Sequence, residues 1–202
     1  ARWGGSEESR VQFALVLFVG MIVHGLFAEV VNRAPGLILG NANFVKKVVF
    51  PLEVLPLASL GAALFHTVAS LAVLLAGLAL ANGHVPWTAV YAPLVLLPLA
   101  VLVLGLAWLL ASLGVFLRDV GQTIGFVTTV LLFLAPVFYP ITALPEAVRP
   151  WLLANPLTFI IEQAREVLIW GRAPDWAGLG VYAAVAAAVA WAGYAWFQKT
   201  RK

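Results

Sequence analysis

Between Val54 and Leu117 the sequence contains no Asp, Glu, Lys or Arg. A soluble fold would have to cover so long an uncharged stretch with amphipathic, charged helices, and the rest of the chain cannot supply them. Of 202 residues, 63% are hydrophobic and 10% charged, where a soluble domain carries about 25% charged residues. Only a polytopic membrane bundle absorbs that composition, so the expected fold class is all-α, one transmembrane domain over residues 1–202. The absence of cysteine excludes a disulfide scaffold, a thiolate zinc site and a cysteine nucleophile. A net charge of +3 is too small and too dispersed to point to nucleic acid.

Five stretches are expected to span: 11–31, 54–81, 87–117, 120–139 and 176–197. Each approaches or exceeds the roughly 20 residues that cross about 30 Å of hydrocarbon at about 1.5 Å per residue. The second ends in turn chemistry, Asn82-Gly83-His84-Val85-Pro86. The third is longer than a bilayer, which predicts a tilt or a kink at Pro93 or Pro98. Prolines at 136, 140, 145, 150, 156 and 174 forbid one continuous helix between the last two spans. Within that region Asn155 reads as an N-cap, Pro156 as the first helical residue and Gly171 with Pro174 as a stop, giving a helix of roughly fifteen residues, about 22 Å, too short to span. Leu157, Ile160, Ile161, Ala164 and Leu168 recur at helical spacing, and Glu162, Arg165 and Glu166 supply a polar face. The expectation is an interfacial or re-entrant element.

Connecting segments on one side hold Arg2, Arg10, Arg149, Arg165 and Arg172. Those on the other hold Arg33, Lys46, Lys47, Arg118, Lys199, Arg201 and Lys202 in fewer residues. The positive-inside rule places the second side in the cytoplasm, with Ala1 outside and Lys202 inside. That arrangement predicts at least one further span upstream of residue 1.

No phosphate-cradling G-x-x-x-x-G-K-[ST] or G-x-G-x-x-G motif is present, so any ATP is handled by a partner. The connector from Arg33 to Pro56 reads either as a basic loop at the membrane edge or as a docking element, with Asn41 capping a short helix over 42–47. Glu29 and His24 lie inside a span but five residues apart, an indifferent pairing on a helix. His66 and His84 lack companions for a metal site. Arg118-Asp119 reads as an ion pair at a gate or as a solvated helix stop. Glu162 and Glu166 at i and i+4 fit a polar face better than an opposed acid-base pair. Trp87, Tyr91, Tyr139, Trp151, Trp170, Trp176, Trp191, Tyr194 and Trp196 mostly fall near span ends as an interfacial belt, with sugar stacking as the alternative.

Five stretches, Phe18–Glu29, Asn41–Pro56, Phe116–Val120, Ala135–Pro140 and Asn155–Thr158, occur in an order that resembles the permease subunit of ABC-2 type exporters. The nearest likeness is to the bacterial exporters of O-antigen, capsule and teichoic acid. The most specific run is Lys46-Lys-Val-Val-Phe-Pro-Leu-Glu-Val-Leu-Pro. The resemblance implies a six-span subunit in the bacterial inner membrane, of which this chain holds spans two to six, forming a homodimer around a channel. It also implies ATP and Mg on a partner ATPase subunit and no cofactor or metal in this chain. Lipid-linked polysaccharide would be the cargo, with periplasmic or outer-membrane export components as further candidate partners and no nucleic acid. Under the same resemblance Gly36, Leu37, Asn41, Asn43, Phe44, Lys46 and Lys47 couple to the ATPase, with Glu53 beside them. Tyr139, Pro140, Trp151, Asn155, Pro156, Phe159, Glu162 and Arg165 belong to short outer gate helices over 141–171, and His24, Trp108, Phe126 and Phe133 are candidate channel lining. A drug or small-lipid exporter of the same fold is the nearer alternative. A membrane glycosyl- or acyltransferase and a scaffold without turnover are the more distant ones.

Overall fold

A computed structural model describes residues 7–41, 51–117, 119–138 and 155–200. Among them every regular element is helical. Helix α1 (Glu7–Arg33) does not stop at Arg33. It tightens into a 3-10 turn, η1 (Ala34–Gly36), where Pro35 lacks the amide an α-helical bond would need, and resumes as α2 (Leu37–Gly40). The beginning of the expected polar connector is therefore helical, and the apolar path runs from Arg10 to Gly40.

Helix α3 (Val54–Asn82) closes at Gly83, whose φ of 72° lets its amide reach the Ala79 carbonyl. A side chain would be strained in that left-handed conformation. The long run after Trp87 divides where Pro93 makes a fresh helix start favourable. It forms a 3-10 turn η2 (Trp87–Tyr91) and then α4 (Ala92–Phe116), with Pro98 accommodated inside the helix. Helix α5 covers only Val120–Leu134. The stretch expected to span through 139 loses its helix because Ala135, the residue before Pro136, is driven to extended backbone at φ −81°, ψ 149°. Helix α6 (Pro156–Leu168) and helix α7 (Trp176–Thr200) complete the order.

Apolar side chains surround α4 entirely, which gives it no preferred outer face and puts it at the centre, packed against α1, α3, α6, η1 and most extensively α7. At Gly105 and Gly193 its seam with α7 has no room for a side chain. A Cβ on Gly193 would overlap the Gly105 carbonyl oxygen, and one on Gly105 would lie 2.5 Å from Ala190 Cα. Two helices in lipid gain little from hydrophobicity and hold together by such close backbone approach. Four segments, Arg10–Gly40, Val54–Asn82, Trp87–Phe116 and Trp176–Thr200, are long and apolar enough to cross a membrane.

Cross-element bonds sort the helix ends into two groups. At one end Thr88 on η2 donates to the Val167 carbonyl (2.6 Å) and Tyr91 meets Trp176 edge-on at 5.4 Å. At the other, Ser112 pairs with Thr200 (2.7 Å), and Trp108 Nε1 donates to the Glu53 carbonyl (3.1 Å).

Candidate functional site

Helix α1 is flanked by α3 and α5, and its polar residues separate onto these flanks. Successive residues turn by about 100°, so His24 and Glu29 stand about 140° apart around the axis. On the α5 flank, His24 Nε2 lies 3.1 Å from the Thr128 carbonyl, and the Thr128 hydroxyl donates to Asn32 Oδ1 at 3.0 Å. On the α3 flank, His66 Nδ1 donates to both oxygens of Glu29, at 2.9 and 3.0 Å. Arg33 Nη2 completes that cluster at 3.1 Å from Glu29 Oε1. Between the flanks lies an open stripe of Met21, Gly25 and Asn32, and a Cβ added at Gly25 would meet nothing within 4 Å. Phe126 and Phe133 are exposed on α5.

His66 sits twelve residues into α3, about 18 Å along a helix of about 43 Å, which places it about 11 Å inside a 30 Å hydrocarbon layer centred on that helix. Its side chain is 58% exposed, and that of Glu29 22%. Each charged group facing lipid at such depth costs at least about 2.5 kcal/mol, so a cluster of this kind faces water or protein.

Helix α6 is fastened rather than loose. Asn155 Oδ1 accepts from the Leu157 amide (2.9 Å), the N-cap expected from sequence, and the helix then runs thirteen residues. Arg165 departs from the expected solvated face: it is 4% exposed. It donates to the carbonyls of Val16 (3.3 Å) and Val137 (3.1 Å) and to Glu162 (2.9 Å), tying α6 to α1 and to the end of α5. Burial pushes the guanidinium pKa down from its ordinary value, and the charge of Glu162 and its hydrogen bond oppose that shift. Phe159 stacks on Tyr182 with ring centroids 6.0 Å apart and covers Gly178, so it packs against α7. Glu166 pairs with Arg172 at 3.5 Å.

In the connector, Gly36 and Leu37 lie on η1 and α2. The Asn41 side chain donates back to the Leu37 carbonyl (2.8 Å), which closes α2; the helix expected over 42–47 lies outside the described residues. Pro35 rests directly on α4, where a Cβ on Gly114 would overlap the Pro35 carbonyl oxygen. Asn43, Phe44, Lys46, Lys47, Arg118, Tyr139, Pro140 and Trp151 lie outside the described residues.

Of the four lining candidates, His24 meets the Thr128 carbonyl of α5, while Phe126 and Phe133 are exposed on α5, about 160° and 140° around its axis from Thr128. Trp108 is held between the Glu53 carbonyl and Tyr194, whose ring lies 5.0 Å away. Sequence reasoning missed the union of Glu29 with His66, residues 37 positions apart. Depth in a span singled out each of them, and no local signal joined them. Among the described residues no cluster could hold a metal ion. No curated protein matches the chain. The family model described as ABC-2 type transporter matches residues 1–169.

Proposed function

The chain belongs to the ABC-2 type transporter family, and from that premise we propose that it is the membrane permease subunit of an ATP-driven exporter of lipid-linked polysaccharide. It lies in a bacterial inner membrane with its C-terminus in the cytoplasm, works as a homodimer and takes its ATP and Mg from a partner ATPase. The observation that carries this reading is the open face of α1, where ionisable and amide side chains stand deep in a span and are exposed. A sugar polymer needs shallow hydrogen bonding and aromatic contact along its route, since tight binding would arrest it.

The contact of η1 with the central helix supports the same reading. Closure of the ATPase pushes on η1 and α2 near Gly36 and Leu37, with Asn43, Phe44, Lys46 and Lys47 beyond them. The load passes from Pro35 to α4 at Gly114, where the two backbones touch. A ligand shifts such an equilibrium only through contacts that differ between the two states. Tyr139, Pro140, Trp151 and α6 form the outer gate, with Arg165 as the fixed point on which the gate elements hinge.

The test is ATP turnover of the permease reconstituted with its ATPase, in the presence of lipid-linked glycan or of hydrophobic drugs. Stimulation by glycolipid alone is the expected result. Stimulation by drugs alone would transfer the chain to the drug or small-lipid exporters of the same family, and no response to either would sink the exporter reading.

A further inference from the structure

We propose that Glu29, Arg33, Asn32 and His66 form a hydrogen-bonding station in the membrane for an uncharged, hydroxyl-rich ligand, namely the sugar units of the cargo. The proposal rests on the exporter reading above and assigns it a specific contact point.

The chemistry of the cluster selects the ligand. Glu29 and Arg33 compensate each other at 3.1 Å, so a free ion finds no uncompensated opposite charge. What remains is a mixture of donors and acceptors. The carboxylate keeps lone pairs beyond those used by His66 and Arg33, the guanidinium has further N–H groups, and His66 Nε2 and the Asn32 amide nitrogen stay available. A sugar hydroxyl both donates and accepts, and it can bridge such a set at several registers. Access is open as well: Arg33 and His66 have side chains 52% and 58% exposed, and Gly25 leaves the floor of the stripe bare. Hydrogen bonds made in contact with water are individually modest, which lets one sugar unit leave as the next arrives.

The station is tested without relying on transport. Gly25→Cys places the sole thiol of a cysteine-free chain on the stripe of the full-length protein in membrane vesicles. Its rate of modification by a charged methanethiosulfonate reagent is followed with and without maltoheptaose, a neutral oligosaccharide. The expected result is rapid modification, slowed severalfold by maltoheptaose, with protection weakened at least about fivefold in concentration by Glu29→Gln or His66→Gln, the equivalent of one hydrogen bond. Failure to modify the thiol means that lipid or another protein surface covers the stripe, and it overturns the proposal. So does protection that persists unchanged in both variants. Protection in the parent, lost in the variants, from a protein whose ATP turnover ignores glycolipid would uphold the station and defeat the exporter reading. The reverse pattern, glycolipid-stimulated turnover without protection, would uphold the exporter and defeat the station.

Discussion

Arg165 and Trp108 show how differently a side chain can serve from what its residue type announces. Arg165 is buried and supports three elements through the Val16 and Val137 carbonyls and Glu162. Removing it takes three hydrogen bonds from a buried site, so Arg165→Ala is expected to lower stability by about 2–4 kcal/mol. Glu162→Gln, at the exposed end of the pair, should change it by less than about 1 kcal/mol. Thermal unfolding in detergent measures both, and equal losses would refute the anchoring role. Trp108→Phe removes one 3.1 Å bond to the Glu53 carbonyl, a loss of about 1 kcal/mol, and leaves transport at the parental rate. Phe126→Ala, at a side chain 71% exposed, should do the opposite, slowing glycan passage severalfold with stability nearly intact. A Trp108 variant that blocks transport while folding normally would return that residue to the channel wall. The N-cap at Asn155 was legible from three adjacent residues, because capping is local chemistry. Burial of Arg165 was not, because it depends on which helices surround α6.

Several helix boundaries followed local rules. Gly83 ended α3, and Pro93 started α4 after its 3-10 turn. Pairing of helices followed other rules. The α4–α7 seam depends on Gly105 and Gly193, which in sequence look no different from glycines such as Gly180 that face open space. Gly193→Ala sets a methyl on the Gly105 carbonyl and should lower the unfolding temperature by several degrees or separate the two helices. Gly180→Ala meets nothing within 4 Å and should be neutral or raise stability by up to about 1 kcal/mol, since alanine favours helix. Circular-dichroism melts of the two variants side by side decide the matter. If they match, the seam does not hold the helices.

For the molecule as a whole, the connector and the central helix meet as backbones, Pro35 on Gly114, which gives a push on η1 a stiff path into α4 and on to α7. Gly114→Ala is expected to reduce glycan moved per ATP hydrolysed at least severalfold, with hydrolysis persisting. An unchanged ratio in reconstituted vesicles would exclude this path. The sequence by itself determined that the chain is a membrane-crossing helical bundle, because an uncharged stretch from Val54 to Leu117 has no other stable solution. It also determined where several helices begin and end, because caps, prolines and left-handed glycines act within a few residues. The tertiary structure alone decided which faces turn inward. Helices apolar all round carry no amphipathic stripe to orient them, so the placing of Trp108 in the bundle and the joining of Glu29 to His66 followed only from the packing of helices distant in sequence; the burial of Arg165, on the amphipathic α6, followed from the carbonyls that α1 and the chain after α5 bring to it.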